Sequence, residues 1–270
     1  MPDFLIIGAK RCGTTSLYNY FLAHPEIWMS AGKEINFFNL QRNWEKGLDW
    51  YGSHFQSEKK CAGEASPGYA MEHRYPGSAA RVFQNLPNVK LIYLVRDPLQ
   101  AIVSHYLHLR FHGWTVSPLS ELLVPDDPTG LLRTHRYHDQ ASAYLKFFRR
   151  EQLLVVDSES LKRRRTQTLS GVFRFLGVDP SFVHKDFKKT WNRSEGRVFP
   201  DLKVSLLHRR TSDLPLQEGV LRVLRQRIQR PRLTGLQKSF IADYLKDDTG
   251  KFKSLFSELS KGGPTPTWLL

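Results

Sequence analysis

Three groups of residues combine types and spacings suited to gripping an anion and moving a group from it. The first is Gly8-Ala9-Lys10-Arg11-Cys12-Gly13-Thr14-Thr15-Ser16, with two glycines, two cations and three hydroxyls in nine residues. Glycines let the backbone curl so that several N–H groups converge, and a helix starting just after adds partial positive charge. Gly8 and Gly13 have the G-x-x-x-x-G spacing of nucleotide-triphosphatase loops. Such a loop needs Lys after the second glycine to reach the β- and γ-phosphates, and Thr14 stands there instead. The loop is poorly equipped for a triphosphate with magnesium and well equipped for a smaller phosphate group. Lys10 or Arg11 supplies the cation.

The second group is Arg96-Asp97-Pro98 with Ser104 eight residues beyond Arg96, about two helical turns. An Arg at a strand end and a hydroxyl on the next helix can hold one phosphate from two sides. A simple Arg96–Asp97 pair is the plain alternative. The third is Lys33-Glu34. Glu34 reads equally as a surface carboxylate paired with Lys33 or as a base that takes a proton from an attacking group. Glu64 is a second candidate base. His105, His108 and His112 admit a metal face, but without a nearby carboxylate or Cys they read as polar packing. Trp28, Trp44, Trp50 and Tyr51 read as core or rim before they read as a stacking platform for a base or sugar.

Positioning these groups takes alternating strands and helices. Short apolar runs at 4–7, 61–65, 89–95 and 153–156 read as strands covered on both faces. Helical spacing follows at 15–22, 78–86, 99–111, 140–148 and 169–176. In the first, hydroxyl residues are suited to the N-cap. In 140–148, Ala143, Leu145 and Phe147 fall near one side. Gly177 stops the last. The pattern predicts a three-layer α/β fold, P-loop-like, with a mostly parallel sheet flanked by helices. No boundary divides the chain, so residues 1–270 read as one domain, with a core over about 3–200 and C-terminal helices within about 216–260. Those helices are expected at 220–228, 235–245 and 252–259, after a long charged loop at 185–215. The run Lys162-Arg163-Arg164-Arg165 reads as the solvated start of a helix before it reads as a dedicated anion site.

Composition bounds the rest. The chain has 270 residues, 40% hydrophobic and 12% aromatic, enough to bury a core. Forty Lys and Arg against 26 Asp and Glu give a formal charge of +14, which points to an anionic partner without saying which. Two cysteines, Cys12 and Cys61, exclude a disulfide framework and disfavour a structural zinc site. No run approaches the roughly 20 apolar residues of a membrane span. No signal peptide is expected, since the run at 4–7 starts almost at once. A cytoplasmic protein is the plain expectation, and a catalytic fragment of an anchored enzyme would look the same.

Together these motifs resemble the sulfotransferases that use 3′-phosphoadenosine 5′-phosphosulfate (PAPS). The resemblance rests on the loop from Lys10 to Leu17 and on Arg96-Asp97-Pro98 with Ser104. It extends through Lys33-Glu34-Ile35-Asn36-Phe37-Phe38, Gly63-Glu64-Ala65-Ser66-Pro67-Gly68-Tyr69 and Phe175-Leu176-Gly177-Val178, covering roughly residues 3–200. Lys33-Glu34 ahead of the paired phenylalanines is closest to the heparan-sulfate-type and bacterial branch. The resemblance implies that Lys10, Arg11, Cys12, Gly13, Thr14, Thr15 and Ser16 form the 5′-phosphosulfate loop, and that Arg96 and Ser104 hold the 3′-phosphate. Gly196 and Arg197 match a late basic loop that closes over the cofactor, although Glu195 stands where Lys is usual. Glu34 takes the place of the general base, with Lys33 and Arg11 beside it in the catalytic set. Arg11 replaces a catalytic Lys, keeping the charge but unable to give up a proton. Ala65 replaces a lysine of heparan-modifying members.

The implied reaction is in-line sulfuryl transfer from PAPS to a hydroxyl or amine, leaving PAP, with no metal expected. The acceptor is a small molecule or a glycan, acidic ones included. Acceptor identity and oligomeric state are not readable. The competing readings are a nucleotide or metabolite kinase, sharing the loop, and a basic nucleic-acid-binding protein, for which no binding motif is present.

Overall fold

The computed structural model describes residues 1–55, 58–115, 117–189, 191 and 230–269. Phe4–Gly8 (β1) carries no charged side chain and is buried along its whole length. Such a strand is stable only with neighbours on both edges and cover on both faces. Those neighbours are Cys61–Ala65 (β3) and Lys90–Val95 (β4), both parallel, so that Ile6 pairs with Ala65 on one side and Ile92 on the other. Ile27–Met29 (β2) and Leu153–Asp157 (β5) complete a five-stranded parallel sheet in the order β2-β3-β1-β4-β5. The parallel α/β expectation holds. The three-residue β2 was not expected, because so short a run has no readable period.

Among the described residues the helices are Thr14–Leu22 (α1), Gly47–Gly52 (α2), Ser78–Asn85 (α3), Pro98–Phe111 (α4), Leu119–Leu122 (α5), Tyr137–Leu145 (α6), Ser158–Arg163 (α7), Arg165–Leu176 (α8) and Gly235–Leu259 (α9). The chain leaves β1 through α1 toward β2, and leaves β4 through α4 toward β5. The connections from these two adjacent strands thus depart in opposite directions. A crevice opens at their carboxyl ends, where open α/β sheets bind ligands.

Three helical expectations need correction. The hydroxyls at the start of α1 are not its cap: Gly13 is, in the left-handed region at φ 98°, and no side chain bonds the first turn. In α6 the inward residues are Tyr137, Gln140, Ala141 and Tyr144, while Phe147 beyond it is 41% exposed. Polar tips misled the apolar count there: the Tyr144 hydroxyl donates to the Tyr69 carbonyl at 3.1 Å, and the Tyr93 hydroxyl donates to Gln140 Oε1 at 3.1 Å. The two helices expected at 235–245 and 252–259 are one 25-residue helix. Its buried stripe runs Ile241, Leu245, Asp248, Phe252, Leu255, Phe256, Leu259, and Asp248 breaks the apolar pattern midway. Asp248 is buried for a reason. Its oxygens accept the backbone N–H groups of His138 and Asp139 at 3.1 and 3.0 Å, capping α6. The helix expected at 220–228 lies outside the described residues.

The far half of α9 delivers Phe252, Leu255, Phe256 and Leu259 to the same apolar cluster as β1, β4 and β5. A smaller cluster joins the outer face of α4 to Ile241 and Leu245. No described helix is long and apolar enough to cross a membrane. Phe252 is fully buried and packs 5.7 Å from the Tyr137 ring. Phe252→Ala should lower unfolding free energy by about 3–5 kcal/mol in denaturant titration. A loss below about 1 kcal/mol would show that α9 is not part of the main core.

Candidate active site

The loop after β1 is held close to the sheet. The Ala9 N–H donates to the Leu94 carbonyl at 2.7 Å, tying the loop to the end of β4. A side chain on Gly8 would start 2.8 Å from the Ala70 Cβ, so only glycine permits this approach. Gly13 caps α1 without a side-chain bond, and Gly13, Thr14, Thr15 and Ser16 bring the positive end of the helix to the crevice wall. Arg11 adopts a left-handed backbone at φ 64°. Its Nε donates to Ser104 Oγ on α4 at 3.2 Å. Two motifs 93 residues apart in sequence therefore meet side chain to side chain.

Around this contact lies a cavity of about 370 Å³. Its walls include Lys10, Arg11, Gly13, Thr14, Thr15, Ser16, Lys33, Glu34, Arg96 and Ser104. Every described residue assigned to the site from sequence is there except Cys12. The Cys12 side chain turns into the core, 3.4 Å from the Tyr137 hydroxyl, and burial pushes its thiol up to about 12. Cys12 can serve the cavity only through its backbone. Gly196 and Arg197 lie outside the described residues. The described residues on either side of that segment, Trp191 and Arg230, both border the cavity.

The structure adds residues that the sequence did not single out for the site. The run Lys162 to Arg165 is not simply solvated: Lys162 and Arg165 line the cavity from the junction of α7 and α8. Arg165 lies over the Tyr20 ring at 5.3 Å and donates to the Phe187 carbonyl. Ser158 and Glu159, at the carboxyl end of β5, join them. The Tyr20 hydroxyl donates to the Lys189 carbonyl at 2.6 Å, and Ser16 Oγ accepts the Trp191 N–H at 3.2 Å. The stretch before residue 192 is thereby pinned over α1. Among the described residues the cavity wall holds seven cations (Lys10, Arg11, Lys33, Arg96, Lys162, Arg165, Arg230) against two carboxylates, Glu34 and Glu159. That excess suits a ligand carrying several negative charges.

Arg96 does not pair with Asp97. It donates to Gln100 Oε1 at 2.8 Å, while Asp97 caps α4 by accepting the Leu99 N–H at 3.0 Å. Glu34, also left-handed at φ 67°, is anchored through its N–H to the Ala65 carbonyl at 2.9 Å, and its carboxylate accepts from Lys33 Nζ at 2.9 Å. Partial burial pushes that carboxyl up, but the charge and hydrogen bond of Lys33, with Lys10 and Arg11 behind, outweigh it. The net effect holds Glu34 below the usual carboxylate range. Burial, reinforced by Arg74, Arg42 and Arg11, lowers Lys10 against the pull of Glu34.

Glu64, the second candidate base, does not line the cavity. It is fully buried away from the cavity wall, and it accepts from Tyr69, Tyr51 and Ser66 at 2.6, 2.7 and 2.7 Å. Burial raises its pKa against those three bonds. The aromatic reading as core and rim holds: Tyr51 stacks on Phe37 at 4.5 Å, with Trp44 and Trp50 packed around the same ring. The three histidines have different packing partners. His105 is buried against His135, whereas His108 and His112 cluster with Trp114.

Residues 1–215 match the sulfotransferase domain family. The chain belongs to that family. It is 27% identical over 292 aligned residues to the mouse bifunctional heparan sulfate N-deacetylase/N-sulfotransferase 4, a match covering all of this chain and 31% of that protein. The chain thus spans about a third of the length of this relative. Its fold is similar to that of a sulfotransferase from Alicyclobacillus acidocaldarius, with a TM-score of 0.69, 22% identity, and coverage of 95% of this chain and 96% of the other. It is also similar to mouse sulfotransferase SULT7A1 complexed with PAP, with a TM-score of 0.50, 13% identity, and coverage of 97% and 89%.

The Glu34 environment gives a direct check. In a carbon-detected NMR titration, Glu34 should ionise below the ordinary glutamate value near 4.3. Lys33→Met, which removes a charge and a hydrogen bond, should raise it. An unchanged value in the variant would show that the Lys33 contact does not set the ionisation of Glu34.

Proposed function

We propose that this sulfotransferase domain takes PAPS as donor and passes its sulfuryl group to a hydroxyl or amine. The observation that carries this reading is the Arg11–Ser104 bond inside a cavity with seven cations. It joins the loop expected to hold the 5′-phosphosulfate to the helix expected to hold the 3′-phosphate. A donor with anionic groups at both ends fits that wall.

PAPS supplies a sulfuryl group on a phosphate leaving group of low basicity. The protein's part is binding, orientation and charge. The open N–H groups of α1, with Thr14, Thr15 and Ser16, offer donors at one end, and Arg96 and Ser104 grip the other. Arg11 stands between and can stabilise negative charge growing on the leaving oxygen. Lys33 fixes Glu34 and keeps it ionised, so that Glu34 can take the acceptor's proton. Lys162, Arg165 and Arg230 add charge along the far wall, and Gly196 and Arg197 are proposed to close over the donor. Thr14 in the place of the triphosphatase lysine disfavours ATP. The family match gives no support to the kinase or nucleic-acid readings.

The acceptor is proposed as a glycan or small molecule, acidic ones included. The mouse relative's name supports a glycan, and Ala65 in place of a lysine separates this chain from heparan-modifying members. The burial of α9 in the main core supports reading the whole chain as one sulfotransferase domain.

In calorimetric titration with EDTA present, PAP should bind and ATP should bind far more weakly. Arg96→Ala should weaken PAP by roughly tenfold or more, because a charged partner is lost from a phosphate. Equal affinity in variant and wild type would remove Arg96 from the 3′-phosphate site. Glu34→Gln should leave PAP affinity nearly intact and cut turnover by about 10²- to 10⁴-fold. Undiminished turnover would remove Glu34 as base.

A further inference from the structure

Beneath the cavity floor runs a buried polar chain that the proposed chemistry does not use. Cys12 Sγ lies 3.4 Å from the Tyr137 hydroxyl, which lies 3.5 Å from His135 Nδ1. The His135 ring meets the His105 ring edge to face, with centroids 5.6 Å apart. His105 directly follows Ser104 in α4, and Cys12 directly follows Arg11 in the loop. Arg11 donates to Ser104, so the circuit closes on itself. One side is the part-buried Arg11–Ser104 contact that lines the cavity. The other side is entirely buried: Cys12, Tyr137, His135 and His105 are each at most 2% exposed.

Evolvable apolar packing would fill this space at lower cost. His105 Nδ1 and His135 Nε2 are buried with no hydrogen-bond partner, an unfavourable arrangement for any purely structural filler. Both rings are held neutral. Burial lowers His135 to about 3 and His105 well below its ordinary value, with Lys10, Arg11 and Arg96 among the cations pushing the same way. Neutral rings can pack directly under a cluster of cations without adding to its repulsion.

We propose that His105, His135 and Tyr137 are positioning residues that hold Cys12 and Ser104 at a fixed separation, so that Arg11 and Ser104 stay coupled as one grip on the donor. The left-handed Arg11 explains the need. A non-glycine residue in that region is strained and persists only where its surroundings over-determine it. The bond to Ser104 holds the side chain, and the buried circuit holds the backbone on either side of it.

The inference rests on the proposed donor site, and two readouts separate the two claims. The first needs no ligand: the Arg11 Nε–H signal in nitrogen-15 NMR, slowed in exchange by its bond to Ser104. His105→Ala and Tyr137→Phe should each broaden or lose that signal, and His105→Phe, which restores a ring against His135, should recover it. The second is PAP affinity of the folded protein, measured well below its unfolding temperature. His105→Ala and Tyr137→Phe should weaken PAP by roughly three- to tenfold, in line with one net contact, and lower kcat/KM for PAPS through a raised KM and a reduced kcat together, because Arg11 also meets the leaving oxygen. His105→Phe should bind like wild type. Variants that melt earlier yet keep the Arg11 signal and wild-type PAP affinity would reduce the circuit to ordinary packing and overturn the proposal. Wild-type protein that shows the protected Arg11 signal but binds no PAP would overturn the donor assignment and leave the circuit supported.

Discussion

The seven cations that the described residues place around one cavity of about 370 Å³ repel one another, and the two carboxylates among them do not balance that charge. Like charges crowded in a partly desolvated space raise the free energy of the ligand-free protein. The surrounding structure makes sense as a way of holding that charge in place. Arg165 is braced on the Tyr20 ring and the Phe187 carbonyl, Arg96 on Gln100, Lys33 on Glu34, and Arg11 on Ser104. Each brace fixes a cation that would otherwise swing toward solvent. An anionic ligand then meets charge already in position, so little ordering remains to oppose binding.

The sheet supplies the frame for these braces. Residues at the carboxyl ends of β1, β4 and β5 reach one crevice because α1 and α4 leave in opposite directions. Tight fits keep the loop there: Gly8 against Ala70, and the Ala9 N–H on Leu94. Arg11 and Glu34 both carry left-handed backbones, and both line the cavity. Local cost is thus concentrated where orientation matters, and the apolar core around β1 and β4 offsets it.

Much of this was legible before any coordinates. The loop after β1, the Arg96–Ser104 spacing and Lys33-Glu34 each have local signatures, and all are brought to one cavity. Motif membership places Cys12 in the loop but does not reveal its side-chain direction, which tertiary packing against Tyr137 decides. Lys162 and Arg165 were missed for the opposite reason. A basic run looks the same on a solvated face as on a cavity wall, and only the placement of β5 beside β4 brings it to the site. The position of Ser158 right after a strand was the available signal. Asp248 hid the length of α9 because a buried carboxylate with two backbone donors resembles a surface residue in sequence.

On this reading the charge orients a sulfuryl donor for transfer. The most direct test is incubation with sulfur-35-labelled PAPS, EDTA and a panel of hydroxyl- and amine-bearing glycans and small molecules. The account predicts label on at least one acceptor, with PAP formed in equal amount. Labelled PAPS left uncleaved, with no label on any acceptor, would contradict it.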